Sequence, residues 1–465
     1  MPLYATQKRL FHALTIAKAN CLSLLQNCKS FNHLLQIQAY ILKLGFQNDY
    51  SILIKFTSTS SDFSAISHTT PFLFHPEADV RFYDTFLFNT VIRAYAKTSD
   101  SKHDALNVYC LMVENGVSPN NFTYPFVLKA CSGIGDLRLG KQVHGSVLKL
   151  GFVRNLHVGN SMIHMYGCCE GATEGARKVF DVMPERNSVT WSVMIGVYMR
   201  LGLPMNAVQL FKQMQIAKVY ADEFTMVSVV SACGDLSELE LGKWAESYIE
   251  KKRIHKSVEL CNSLINMFMK CGDVDKAVSV FRNMKERDVV SWTSVLSGLG
   301  MHGRGIEAIS IFEEMKSNGI TPDHTTFISL LNACSHAGLV DEGRSYFNSM
   351  IDYGISPKMK HYGCMVDLLC RAGLVEEALN FVERMPVEPN SIILRTLMNS
   401  FHDEGDVKLS ETVTKRLTNN EEIHESIYVI LSNICAKLSN WENKYIIREM
   451  MDRKGIKKTP GCAVV

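Results

Sequence analysis

The sequence of 465 residues lacks the features that mark several large classes of protein. It contains no run of 18 or more apolar residues, so it predicts no membrane-spanning helix. Its 14 cysteines include no Cys-x-x-Cys pair and recur beside Ala or Asn, which favours small buried hydrophobes in a reducing compartment. Lys and Arg number 49 against 47 for Asp and Glu, so any nucleic-acid binding must rest on local patches or base contacts rather than on net charge.

Acidic residues are absent before Asp49, and the first residues mix Lys8, Arg9, His12 and Lys18 with apolar side chains. This composition predicts an amphipathic organelle-targeting segment over residues 1–15. The Arg- and Lys-containing start favours the mitochondrion, with the chloroplast as the alternative. The other interpretation is that these residues form the edge of the first repeat, because the same composition continues into it.

Three stretches of the chain are near-copies of one another. They read KACSGIGDLRLGK from Lys129, SACGDLSELELGK from Ser231 and NACSHAGLVDEGR from Asn332, and their Ala-Cys pairs are 102 and 101 residues apart. Trp191 recurs as Trp292 at the same step. A constant long period indicates one supersecondary unit stacked on itself.

The long period is composed of shorter units. Residues 289–323 hold two amphipathic helical patterns, one with Val295, Leu296, Leu299 and Met301 and one from Ile306 to Met315, separated by a glycine-rich turn. Residues 188–222 match this unit, and two others of about 35 and 31 residues follow in each cycle. A single hairpin cannot bury its apolar stripe alone, so stacked hairpins are predicted.

The series runs backward to residue 16, where ILKLGFQND at 41–49 echoes VLKLGFVRN at 147–155. Residues 50–84 form a degenerate short unit. Its stretch SHTTPFLFHPEAD, residues 67–79, is predicted to be a loop rather than a helix.

A helical hairpin of 35 residues ending in G-x-x-P-[DN], mixed with shorter units ending in M-x-E-R-[DN], resembles the pentatricopeptide repeat. The alternation of three unit types is similar to the plant PLS class, with P (standard), L (long-type) and S (short-type) units. The resemblance implies an all-α fold, a right-handed α-solenoid superhelix of stacked helix-turn-helix repeats. It implies about eleven repeats over residues 16–390 and an E-type extension over residues 391–465.

Longer relatives in this class carry a deaminase-like DYW domain, which needs His-x-Glu and Cys-x-x-Cys to hold zinc and move a proton. His-x-Glu occurs at His75/Glu77 and His402/Glu404, but without Cys-x-x-Cys both are read as chance. The expectation is therefore a chain that is not an enzyme and holds no cofactor. Leu394, where the family usually has Trp, and the tail PGCAVV depart from the usual extension.

The resemblance also implies how RNA would be read, with one base per unit and the fifth and last side chains facing it. Amides and hydroxyls suit a Watson–Crick edge because they donate and accept, and flanking apolar side chains can sandwich the base. A plainer explanation of the last residues is helix capping, for which Asn and Asp are favoured. Capping does not explain a polar residue at each fifth position. The pairs in the P and S units are Asn89 with Asn120, Asn160 with Asn187, Ser192 with Asp222, Asn262 with Asp288, and Thr293 with Asp323.

The family's code associates Asn/Asn with a pyrimidine, Ser/Asp and Thr/Asp with G, and Asn/Asp with U. The L units carry Pro125, Val227 and Ile328 at the fifth position and are expected to be spacers or weak readers. The terminal short unit combines Gly363 with Asn390, a non-standard pair. The implied target reads 5′-Y-N-Y-G-N-U-G-N-N, with the edited cytidine about four nucleotides beyond the base at the last unit.

A basic cluster near the C-terminus has two interpretations. Its members could hold phosphate near the target base, or they could be cations at a helix C-terminus and in a solvated tail. Trp441 is expected to pack within the last hairpin. The members of the cluster are Arg448, Arg453, Lys454, Lys457 and Lys458.

These patterns favour a binder of single-stranded organelle RNA that specifies C-to-U editing sites and recruits a DYW-type deaminase in trans. The first alternative is RNA binding without editing, for transcript stabilisation, splicing or translation. The second is a protein-binding scaffold of the tetratricopeptide kind, whose W-x-x-L-G-x-x-Y phrase the chain lacks.

Overall fold

The structure, a computed structural model, describes residues 2–63, 65–74, 84–98, 101–169, 171–387, 389–404, 432 and 441–453. It divides into two compact units, residues 1–232 and 233–465. The helices in chain order are α1 (Pro2–Gln26), α2 (Phe31–Lys43), α3 (Tyr50–Asp62), α4 (Ile66–Leu73), α5 (Thr85–Lys97), α6 (Lys102–Glu114), α7 (Thr123–Ile134), α8 (Leu137–Lys149), α9 (Leu156–Cys168), α10 (Thr173–Val182), α11 (Ser188–Arg200), α12 (Pro204–Ile216), α13 (Glu223–Asp235), α14 (Leu239–Lys252), α15 (Val258–Lys270), α16 (Val274–Arg282), α17 (Val289–Met301), α18 (Gly305–Ser317), α19 (His324–Ala337), α20 (Val340–Ser349), α21 (Met359–Arg371), α22 (Val375–Glu383), α23 (Ser391–Glu404) and α24 (Trp441–Arg453).

The first helices of successive repeats stack on one another. Within residues 1–232 the first helices contact one another in the order α1, α3, α5, α7, α9 and α11. Within residues 233–465 the order is α15, α17, α19, α21 and α23. Most of the second helices described pack against the first helix of their own repeat, and several also contact the next first helix. The described residues contain no strand. The prediction of an all-α solenoid of stacked hairpins is therefore confirmed.

Predicted repeat borders coincide with helix starts. The units predicted to begin at residues 188, 223, 258, 289 and 324 each open with the first residue of a helix. An Asn, Asp or Ser precedes most of these starts with extended backbone and accepts a hydrogen bond from the first helical turn. The turn inside 289–323 passes through Gly303 at φ +70°, a left-handed conformation that favours glycine.

The repeated Ala-Cys phrase lies where first helices meet. Ala333 and Cys334 are fully buried in α19, and a Cβ placed on Gly300 of α17 would lie 3.0 Å from the Cα of Ala333. Because the two helices approach this closely, positions 300 and 333 both hold small residues. Burial raises the pKa of Cys334 and of Cys131 to about 12, so both remain thiols. The interpretation of these cysteines as small core residues is confirmed.

The arginine of the M-x-E-R-[DN] phrase fastens the end of the short units. Arg287 donates from Nε to the Phe281 carbonyl at 3.0 Å and from a terminal nitrogen to the Arg282 carbonyl at 2.9 Å. Its guanidinium also lies 4.5 Å from the centre of the Phe281 ring, which meets Trp292 edge-on. Arg186 repeats this arrangement on Phe180. One side chain thus donates to two carbonyls at a helix end and packs on the core.

The stretch 67–79 differs from its prediction as a loop. Residues Ile66–Leu73 form the helix α4 with Pro71 inside it, and residues 75–83 lie outside the described part. Phe72 packs edge-on against Phe56, and Thr70 donates to the Ile66 carbonyl. Packing of this apolar run against α3 outweighs the local cost of the proline.

Two members of the apolar pattern are not core residues. Met301 is 70% exposed and Ile306 is 77% exposed, because they flank the turn between α17 and α18. Helix α1 runs without a break through the predicted border at residue 15, so the backbone does not mark an end to the proposed targeting segment. Among the helices described, none has the length and apolarity to cross a membrane.

Replacing Arg287 with Lys should lower the free energy of unfolding by about 1–2 kcal/mol, because a lysine cannot serve both carbonyls and stack on the ring. The matched control is Arg282→Lys, an exposed position on the same helix, which should change it by less than about 0.5 kcal/mol. Thermal unfolding followed by circular dichroism measures both. Equal effects of the two substitutions would contradict the assigned role.

Candidate nucleic-acid interface

The last residues of the P and S units cap the following helices. Asn187, Asp288 and Asp323 each accept the backbone N–H and the side-chain hydroxyl of the residue three positions later on Oδ1. Asn120 and Asp222 accept the same two bonds. The capping explanation is therefore confirmed, and it uses one oxygen of each side chain. The second oxygen of each Asp, or the amide group of each Asn, lies outside these capping bonds.

Two predicted pairs are joined directly. Asn89 donates from Nδ2 to Oδ1 of Asn120 at 3.2 Å, and Asn262 donates to Oδ1 of Asp288 at the same distance. These bonds fix the orientation of the two amides, so each turns its own Oδ1 away from the partner. That oxygen is buried and has no hydrogen-bond partner among the described residues.

The other pairs are arranged differently. Thr293 donates to the Val289 carbonyl at 2.7 Å and lies 3.3 Å from the hydroxyl of Thr326, which in turn bonds Asp323. Neither Asn160 nor Ser192 hydrogen-bonds the last residue of its own unit among the described residues. Asn160 nevertheless resembles Asn89 and Asn262, because its Oδ1 is also buried without a partner.

A buried amide oxygen without a partner costs free energy in the unliganded protein. The side chains of Asn89, Asn160 and Asn262 are only 7–9% exposed, and they recur at the fifth position of a first helix. Such groups are rare in folded proteins and call for an explanation. A ligand that supplies an N–H donor would satisfy all three.

The charge state of Asp288 follows from its surroundings. Burial by itself would raise its pKa, but the bonds from the Ser291 backbone and hydroxyl and from the Asn262 amide outweigh burial and lower the pKa below its ordinary value. Asp288 is therefore a carboxylate at neutral pH. It can only accept hydrogen bonds, unlike Asn120 and Asn187, whose amide groups can donate.

Apolar side chains flank these polar positions. Phe122, at the second residue of its unit, is 66% exposed, and Val189 at the same place two units later is 47% exposed. Both residues line a cavity of about 370 Å³, together with Phe126 and Asn160. Sequence reasoning expected apolar flanks without naming them. The sequence pattern that could have identified these side chains is an apolar residue at the second position of a unit. Other exposed examples are Phe86, Phe224, Val290 and Ile392.

The remaining predicted positions fall into two groups. Asn390 caps α23 by accepting the Ile393 N–H at 3.0 Å, while Gly363 offers it no side-chain partner. Arg448 and Arg453 lie on α24, and Arg453 pairs with Glu449 at 2.7 Å on the surface. Lys454, Lys457 and Lys458 lie outside the described residues.

Trp441 differs from its expected packing role, because it is 63% exposed. Lys444 lies over its ring at 4.3 Å, and the helix packs through Ile447 and Met451 instead. Among the described residues, no group of three or more His, Cys, Asp or Glu side chains could hold a metal ion.

Comparison with known proteins identifies the repeats. Profiles of the PPR repeat family match residues 83–133 and 287–336, and PPR repeat profiles match 189–219, 259–289, 325–355 and 353–386. A chloroplastic/mitochondrial pentatricopeptide repeat-containing protein of Arabidopsis thaliana is 39% identical over 461 residues, which cover 95% of this chain and 71% of the relative. The chain belongs to the pentatricopeptide repeat family.

Other matches agree with this family. An E motif profile covers residues 404–465. A putative chloroplastic member from Arabidopsis thaliana is 37% identical over 480 residues, with 96% of this chain and 86% of the relative covered. The crystal structure of the pentatricopeptide repeat protein PPR10 from maize superposes with a TM-score of 0.57 and 16% identity, covering 95% of this chain and 69% of that one. This last likeness supports the fold alone.

Substituting Asn160 with Leu should leave the free energy of unfolding of the unliganded protein unchanged or raise it by up to about 1 kcal/mol, because a buried oxygen without a partner is removed. Asn155 provides the contrast, since it caps α9 through two backbone N–H groups. Asn155→Leu should lower the free energy of unfolding by about 1 kcal/mol. Thermal unfolding of the two variants tests the difference, and a clear loss of stability in Asn160→Leu would contradict it.

Proposed function

We propose that this chain binds single-stranded organelle RNA sequence-specifically and selects cytidines for C-to-U editing, with the deamination carried out by a separate DYW-type deaminase. The observation that carries the proposal is the series of five polar pairs at equivalent positions of stacked first helices. Three of these pairs contain a buried amide oxygen without a partner in the unliganded protein. Each of the five pairs offers one polar edge, as recognition of an unstacked base would require.

The surroundings of Asn160 show how a base would fit. Phe122 and Val189 both line the 370 Å³ cavity, and a planar ring placed between them would contact apolar side chains on both faces. The amide of Asn160 would then meet the edge of that ring. A pyrimidine N–H or amino group would supply the donor that Oδ1 lacks.

The E motif over residues 404–465 supports the editing role and the recruitment of a deaminase. The names of the Arabidopsis relatives place them in chloroplasts, or in chloroplasts and mitochondria, which supports an organellar site of action. The mitochondrion is favoured by the basic, amphipathic N-terminal residues.

The decisive experiment is sequencing of organelle transcripts from plants in which the gene is disrupted, with every C-to-U site scored. Loss of editing at one or a few sites preceded by Y-N-Y-G-N-U-G-N-N supports the proposal. Full editing together with altered transcript ends or unspliced introns would instead support RNA binding without editing. No change in RNA would favour the protein scaffold.

Replacing Thr293 with Asn should shift the preference at the seventh nucleotide of this target from G toward a pyrimidine. The reason is that Asn presents an amide where Thr presents a hydroxyl, beside an unchanged Asp323. The affinity ratio between the two RNAs should change on the order of tenfold, as measured by titration of labelled RNA. An unchanged preference would reject the assignment of nucleotides to units.

A further inference from the structure

Five buried hydroxyls lie directly behind the predicted base-reading pairs. Each belongs to the third residue of a unit and donates to Oδ1 of the last residue of the unit before it, at 2.6–3.1 Å. All five side chains are fully buried, so no base or phosphate can reach them. They are Thr123, Thr190, Thr225, Ser291 and Thr326.

The hydroxyls bond the last side chain in a specific orientation. At four of the five borders the same hydroxyl also accepts the backbone N–H of the last residue, at 3.0–3.3 Å. The hydroxyl proton is therefore the one donated to Oδ1. The four last residues are Asn120, Asn187, Asp288 and Asp323. For Asn120 and Asn187 this sets the carbonyl inward and the amide group outward. Thr326 additionally contacts the fifth residue, Thr293, at 3.3 Å and so touches both members of one pair.

The hydroxyls occur after units that carry a predicted base-reading pair, and they do not occur at the start of every first helix. Ten units lie between residues 50 and 390, and in all of them the last residue precedes a first helix. The five units with Asn, Ser or Thr at the fifth position are followed by the five hydroxyls. The other five units have Ile54, Pro125, Val227, Ile328 and Gly363 at the fifth position, and the third residues that follow them are Leu87, Val158, Leu260, His361 and Ile393.

Capping alone does not require this match. Asn155, Ser257 and Asn390 accept backbone N–H groups at their helix starts although no hydroxyl follows three residues later. A hydroxyl is therefore dispensable for the cap but present wherever a reading pair precedes it. We propose that the five buried hydroxyls are positioning residues, which orient the last side chain of the preceding unit for base recognition. The inference rests on the proposed function and extends it to residues that touch no RNA.

The test uses the full chain and a synthetic RNA containing 5′-Y-N-Y-G-N-U-G-N-N, varied to each base at the seventh nucleotide. Thr326→Val removes the hydroxyl at nearly constant shape. It should reduce the preference for G at that nucleotide about fivefold, the factor that one hydrogen bond contributes. The preference for U at the sixth nucleotide, assigned to Asn262 and Asp288, should stay the same. Thr326→Ser should restore the preference.

Ser257→Ala is the matched control, because Ser257 caps α15 in a unit whose fifth residue is Val227. It should lower thermal stability as much as Thr326→Val does, without changing either base preference. Ser291→Ala is a second, smaller change, which should weaken only the preference for U at the sixth nucleotide.

Retention of the preference for G in Thr326→Val, or of the preference for U in Ser291→Ala, would overturn the positioning role and leave the hydroxyls as helix caps. A wild-type protein that binds all four bases equally at these nucleotides would overturn the proposed base reading itself. The two failures are thus distinguishable in one set of titrations.

Discussion

The structure depends on one type of hydrogen-bonded junction, in which the last side chain of a unit closes the first turn of the next. The first N–H groups of every helix need acceptors, and an Asn or Asp at this border supplies one. Because Asp288 and Asp323 are held by backbone and hydroxyl donors together, their positions are set before any ligand arrives. The same bonds that start a helix therefore also arrange a polar surface.

Small residues allow neighbouring first helices to pack closely. Gly300 and Ala333 let α17 and α19 approach each other, and first helices contact one another in sequence within residues 1–232 and within residues 233–465. Two of the short units end differently from the others, with Arg186 and Arg287 on their phenylalanine rings. From α3 onward the first helices are 12 to 14 residues long, whereas the second helices vary from 8 to 14 residues.

Much of this arrangement could be predicted from the sequence. The 101-residue period located the unit borders, since an internal repeat compares the chain with itself and does not depend on propensity. The helix at Ile66–Leu73 could not be predicted, because its stability comes from contacts with α3 across the fold rather than from its own residues. Exposure of Met301 was missed for a related reason, since periodicity does not locate the helix end. The hydroxyl of Thr326 was overlooked because a threonine in a first turn is ordinary until its partner is seen.

Three amide oxygens of the candidate interface are buried without a hydrogen-bond donor among the described residues. Asn89, Asn160 and Asn262 are held in position by packing around them, while their acceptors remain without donors. In the unliganded protein each of these oxygens therefore carries the free-energy cost of burial without a hydrogen bond.

The junction also has a consequence for how these repeats could be handled as building blocks. A unit cut at its last residue, such as Asp323, carries the side chain that we propose reads a base but leaves behind Thr326, to which that side chain is bonded. A transplantable module would therefore extend three residues into its neighbour. Arrays assembled from consensus units would meet this requirement only if each graft kept the hydroxyl at the start of the following helix.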